Sequence, residues 1–93
     1  MYKIVFHSQL KKDLKQLPKQ VVYDLLEKVF PVIKENPYSG EKVLNRKNVF
    51  KFKYIYKKVH YRIAYLILNK ELIIIILKVG SRENFYKKLF QRI

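Results

Sequence analysis

Cysteine is absent from these 93 residues, which excludes disulfides and any thiolate-held metal. Only two histidines are present, so an imidazole-based metal centre is disfavoured as well. Acidic side chains are scarce, 7 Asp and Glu against 21 Lys and Arg, for a formal net charge of +14. Long apolar runs are missing too. The longest, Leu72 to Leu77, falls far short of the roughly 20 residues that span a bilayer. The opening Met1-Tyr2-Lys3-Ile4-Val5-Phe6 is too short an apolar stretch for a secretory signal. These absences predict a soluble cytoplasmic protein with no membrane association and no small-molecule cofactor. A chain of this length makes one compact domain, residues 1–93, with a single small core.

What is present points to a polyanion. Between Lys42 and Lys70 there is no acidic residue, while nine Lys or Arg fall there, interleaved with Phe50, Phe52, Tyr54, Tyr56, Tyr61 and Tyr65. Cations neutralise phosphates and release counterions, and aromatic rings stack on unpaired bases. A plainer reading also applies, in which Lys is a common surface residue and the tyrosines are strand formers. It suits Lys11, Lys12, Lys15 and Lys34, which are scattered over helices, better than it suits the acid-free window.

Hydrophobic periodicity supplies the elements. Tyr2 to Phe6 reads as a strand, and Ser8 offers a side-chain oxygen as the cap of the helix that follows. Leu10, Leu14 and Leu17 mark a short amphipathic helix ended by Pro18. Val22, Leu25, Leu26, Val29 and Ile33 trace a second, with Pro31 expected to kink or loosen its last turns. Asn36-Pro37-Tyr38-Ser39-Gly40 is a loop. The period then becomes strand-like: Val49 to Tyr54, a turn near Tyr56-Lys57-Lys58, Val59 to Leu68, a connection at Asn69-Lys70, and Glu71 to Val79. The unbroken Ile run in the last of these suggests a strand buried on both faces, in the middle of a sheet. From Arg82 to Ile93, Phe85, Leu89 and Ile93 recur every four residues, as in an amphipathic helix. The expected fold is α+β, a small antiparallel sheet with two N-terminal helices packed on it and a C-terminal helix.

That element order resembles the RelE/ParE superfamily of toxins. The likeness is carried by Phe50-Lys51-Phe52-Lys53, by Tyr61-Arg62-Ile63-Ala64-Tyr65, by the Ile and Val strand, and by Gly80-Ser81-Arg82-Glu83-Asn84-Phe85-Tyr86. It covers essentially the whole chain. The resemblance implies the toxin of a type II toxin-antitoxin pair, silenced by a cognate acidic antitoxin. Two activities occur in the superfamily: RelE-type members cleave mRNA in the ribosomal A site, and ParE-type members bind DNA gyrase without that catalytic set. RelE-like enzymes work with two lysines on one strand, an arginine on the next, an arginine past the last strand and a tyrosine in the terminal segment. The matching positions here are Lys51, Lys53, Arg62, Arg82 and Tyr86. The filled lysine pair and late tyrosine favour a ribosome-dependent mRNA endonuclease; the gyrase inhibitor is the alternative, and a non-toxic nucleic-acid-binding module is the third.

The chemistry is coherent on its own terms. RNA is cut without a metal when its 2′-OH attacks the adjacent phosphate, provided the proton is taken, the phosphorane charge is stabilised and the 5′-oxygen is helped to leave. Like charges held close ease proton loss from one of them, so either Lys51 or Lys53 could act as base; Lys53 is assigned to proton abstraction or its stabilisation. Lys51 and Arg62 then suit the phosphate, Arg82 the leaving group, and Tyr86 a stacked base. Plainer alternatives stand beside these roles. Alternating Lys51 and Lys53 suit a solvent face, Arg82 a helix terminus and Tyr86 a core position. His60 sits beside a turn and is read as structural or solvated, in a slot that is not catalytic in RelE-like enzymes. The YoeB-type pattern of a Glu and a late His is not met, since Phe85 precedes Tyr86 and no His follows it.

Overall fold

The computed structural model describes all of residues 1–93. Strand β1 (Lys3–Phe6) leads to helix α1 (Leu10–Lys15), and a turn at Pro18 to helix α2 (Lys19–Asp24). A π-helical segment, Leu25–Val29, joins α2 to α3 (Phe30–Glu35) in one continuous rod. Pro31 explains the join. Its ring cannot donate to the ladder, and just before it the Phe30 N–H reaches back five residues to the Leu25 carbonyl, an i→i+5 bulge that widens the turn and keeps the helix running.

After a short 3₁₀ turn at Pro37–Ser39, strands β2 (Glu41–Lys42), β3 (Val49–Tyr56), β4 (Val59–Leu68) and β5 (Ile73–Gly80) precede helix α4 (Phe85–Arg92). The sheet has five strands in the order β1-β5-β4-β3-β2. It is mixed, not purely antiparallel: β1 lies parallel to β5, Lys3 opposite Ile73 and Phe6 opposite Ile76. The intervening helices carry the chain back across the sheet, as a parallel connection requires. The two-residue β2 was not expected.

Other boundaries differ in instructive ways. Ser8 does not cap α1; the His7 imidazole accepts the Gln9 N–H at 3.1 Å and the His7 carbonyl accepts that of Leu10. Four residues, 69–72, separate β4 from β5, with Leu72 at φ 55. Lys57 (φ 48) and Lys58 (φ 67) turn the β3–β4 hairpin in the left-handed region, a conformation usually left to Asn and Gly. Helix α4 begins at Phe85, so Arg82 lies in the preceding bend.

Two cores flank the sheet. The larger joins Leu10, Val21, Leu25, Phe30 and Ile33 from the helices to Tyr61, Ile63, Tyr65, Ile67, Ile74 and Ile76 from the strands. The smaller lies on the opposite face, where Phe85 and Leu89 of α4 cover Val43, Val49, Ala64 and Leu77. Gly40 is held where the chain passes close under β3. A Cβ there would stand 2.5 Å from both the Lys51 carbonyl oxygen and Tyr65 Oη, and Tyr65 Oη itself donates to the Pro37 carbonyl at 2.7 Å.

Candidate nucleic-acid interface

Strand alternation divides β3 cleanly. Phe50, Phe52, Tyr54 and Tyr56 face the helix layer and join its core, while Lys51 and Lys53 face the other way. The aromatic residues interleaved with cations in the sequence therefore cannot share a ligand with them; a period of two places the two sets on opposite faces. Phe50 stacks on Tyr65 at 6.0 Å, and Tyr54 hydrogen-bonds the buried Asp24 carboxylate. That bond holds the Asp24 carboxyl below its ordinary range and pushes the Tyr54 phenol up to about 12.

On the cation face the register assembles two cross-strand rows. Lys53 lies opposite Arg62, and Arg62 opposite Gly80; Lys51 lies opposite Ala64, and Ala64 opposite Lys78. Helix α4 crosses this face and lays Tyr86 against the rows. Lys51 Nζ stands 5.2 Å from the Tyr86 ring centre and the Arg62 guanidinium carbon 6.0 Å from it, within reach of cation–π attraction. Phe85 and Phe90 pack around Tyr86 at 5.2 and 6.4 Å. Tyr86 is half-buried, so it is both a packing residue and an open ring. Beside it, Val43, Leu44 and Phe90 line a shallow cleft of about 300 Å³ with Lys51.

The structure thus brings Lys51, Lys53, Arg62 and Tyr86 onto one face. Arg82 lies in the bend before α4 with its side chain exposed. Lys53 has a partner that composition concealed, Glu41 of β2, 3.6 Å away with both side chains largely in solvent. Such an exposed pair is readily exchanged for a ligand phosphate. His60 is exposed on the same face, one row beyond Arg62, opposite Ile55. Arg46, also unanticipated, packs over the Phe90 ring at 4.3 Å. No three His, Asp or Glu side chains gather in metal-binding fashion, and no helix is long and apolar enough to cross a membrane.

A β-bulge adds a second, buried charge cluster. Ala64 pairs with Lys78 but Tyr65 with Ile76, leaving Leu77 unopposed. Strand β1 stops at this point, so β5 would present a bare edge. Asp13 and Arg92 close it: Asp13 accepts the Val79 N–H at 3.1 Å, and Arg92 donates to the Leu77 carbonyl at 2.8 Å. Arg92 also grips Asp13 in a two-pronged pair at 2.7 and 2.8 Å, tying α1 to the end of α4. Sequence offered one signal for this cluster, a lysine at position 78 inside an otherwise apolar strand.

A profile of the ParE-like toxins of type II bacterial toxin-antitoxin systems matches residues 4–90, and the chain belongs to that family. Its fold is that of solved RelE toxins. A doubly substituted Escherichia coli RelE in the free state superposes with a TM-score of 0.78 at 23% identity, covering 99% of this chain and 97% of that one. A chain of the intact E. coli RelBE toxin-antitoxin complex gives 0.73 at 21%, over 89% and 99%. A chain of the Mycobacterium tuberculosis RelBE2 toxin-antitoxin complex gives 0.73 at 25%, over 87% and 98%. No functionally curated protein matches the sequence.

Proposed function

We propose that this toxin is a ribosome-dependent mRNA endonuclease that cuts without a metal ion. The observation that carries the reading is the convergence of Lys51 and Arg62 on the Tyr86 ring, with Lys53 directly opposite Arg62, on a sheet face left open beside α4. In this reading Tyr86 stacks on a base and orients its ribose. Lys51 and Arg62 neutralise the scissile phosphate, and Lys53, released from Glu41, takes or stabilises the 2′-proton. Arg82, free in the bend before α4, meets the leaving 5′-oxygen. These flexible cations are not organised tightly enough to strain RNA unaided, and the ribosomal A site supplies the missing order.

The proposed partner is a cognate acidic antitoxin that covers the basic face by charge and apolar contact. Exposed Leu44, in the cleft beside Lys51 and Tyr86, adds apolar surface to that face. Solved RelE relatives occur in complexes with RelB, which supports the pairing. The ParE-like family description favours a second reading, gyrase inhibition without nuclease chemistry.

One experiment separates the two. Cleavage of a message is compared with and without programmed ribosomes, alongside a supercoiling assay with purified gyrase. Cutting confined to the ribosome supports the endonuclease; equal rates on naked RNA overturn the ribosome requirement, and intact message with inhibited supercoiling overturns the nuclease.

A further inference from the structure

A cavity of about 340 Å³ opens between the α1–α2 turn, the end of β5 and the first turn of α4. Lys78, Arg82 and Lys88 contribute its cations, and Asp13 is its acid. Lys78 is unusual here. Its side chain is 10% exposed, and its ammonium has a single anionic partner held at long range, Asp13 Oδ1 at 3.8 Å. Asp13 is already committed, holding the Val79 N–H and both prongs of Arg92. One buried carboxylate therefore serves two buried cations, and the site carries an uncompensated positive charge beside a polar cavity. Two buried cations sharing one carboxylate are expensive to hold out of water. Burial pushes the Lys78 ammonium below its ordinary pKa, with Asp13 opposing the shift.

We propose that this cavity is a phosphate seat, in which Lys78 directs its unused donors at the anion and Lys88 closes the rim. The cavity shares Gly80 and Arg82 with the candidate cleavage face, and Gly80 lies directly across from Arg62. Phe85 and Tyr86 stand between the two: Lys78 lies 5.6 Å from the Phe85 ring, and Lys51 lies 5.2 Å from Tyr86. A strand held at Lys51 and Arg62 that continues past α4 brings a flanking phosphate to Lys78. The occupant is accordingly a phosphate of a single-stranded polynucleotide, adjacent to the one held at Arg62. This assignment of the source rests on the proposed function, whereas the anion pocket does not.

The test uses the full chain and its Lys78→Met variant. Inorganic phosphate is titrated while the amide resonances of Gly80, Ser81 and Phe85 are followed. Saturable shifts in the wild type, weakened at least tenfold in the variant, are expected, the scale of losing one charge-assisted hydrogen bond. Phosphate should also raise the melting temperature of the wild type alone. Lys88→Gln, at the rim, should weaken binding less and keeps the test open if the Met variant does not fold. Absence of saturable shifts, or shifts equal in both proteins, overturns the pocket. A short RNA made uncleavable by a 2′-deoxy residue then tests the source. A tenfold loss of its affinity in Lys78→Met supports the polynucleotide, and a glutamate-rich peptide that occupies the pocket while RNA affinity ignores Lys78 overturns it. Cleavage that fails while phosphate binding holds would reject the proposed function and leave the seat standing.

Discussion

The two faces of one strand pair, β3 and β4, obey opposite rules. Toward the helices, Phe50, Ile63, Tyr65 and Ile67 are almost wholly removed from water, and the aromatic rings interlock with each other and with α2 and α3. Toward α4, the same strands alternate into Lys51, Lys53 and Arg62, with an apolar anchor only where Ala64 and Val49 meet Phe85 and Leu89. Side-chain alternation lets one backbone hold a close-packed core and an underpacked charged surface a few ångströms apart. Stability is concentrated on the first face, which leaves the second free to carry cations that a core would not tolerate.

Neighbouring residues give the sharpest way to break that contrast. Ile63→Ala should destabilise the fold by about 2–5 kcal/mol, the range for removing a fully buried branched side chain, read from chemical denaturation. Arg62→Ala, one residue away, should leave stability within about 0.5 kcal/mol and slow ribosome-dependent cleavage by on the order of a hundredfold, the scale of removing one charge stabiliser from a transition state. If the two variants exchange phenotypes, the division between the faces is wrong.

Gly40→Ala tests where the faces meet. The added methyl must displace the Lys51 carbonyl or the Tyr65 hydroxyl, and overpacking of this kind costs about 1–3 kcal/mol. Because the Lys51 backbone is the displaced element, the midpoint of denaturation and the cleavage rate should fall together.

The Asp24–Tyr54 bond makes the core face sensitive to pH at both extremes. Asp24 titrates lower in the folded chain, so its contribution is complete above the ordinary carboxylate range near 3.8 and is lost as pH falls through the lowered value. Tyr54 titrates higher, so its contribution is complete below 10.0 and is lost as pH rises toward about 12. Tyr54→Phe should flatten both edges of the stability profile measured by thermal melting across pH; a profile identical to the wild type would rule the bond out as their cause. The smallest effect is expected at His60. It shares the cation face but makes no hydrogen bond, and His60→Ala should change the cleavage rate only a few-fold, within what a neighbouring exposed residue contributes.

Much of this was legible in advance. The order of the longer elements follows from where the hydrophobic period changes, and the common face of Lys51 and Lys53 from period-two alternation. What was not legible depends on contacts between distant segments. The direction of β1 against β5 joins residues 3–6 to 73–76, and alternation carries no information on whether such a pair runs parallel. The bulge at Leu77 is a single residue in an unbroken apolar run, and it decides that Lys78 lies under α4. The aromatic interleaving was misleading for a simple reason: adjacency in sequence is separation in a strand. Arg82 was placed at the start of the last helix because the apolar spacing extends back toward it, whereas α4 starts at Phe85 and leaves Arg82 in a bend.

The central claim, that the cation face performs metal-free cleavage by 2′-OH attack, is tested most directly by the ends of the RNA it makes. Message cut on programmed ribosomes, by wild-type protein and by Lys53→Ala and Arg62→Ala variants, is analysed for terminal groups, with and without a chelator at a concentration that leaves ribosomes intact. The account predicts 2′,3′-cyclic phosphate and 5′-hydroxyl ends, undiminished by the chelator and sharply reduced in both variants. Fragments bearing 5′-phosphates, or cutting that persists without Lys53 and Arg62, would contradict it.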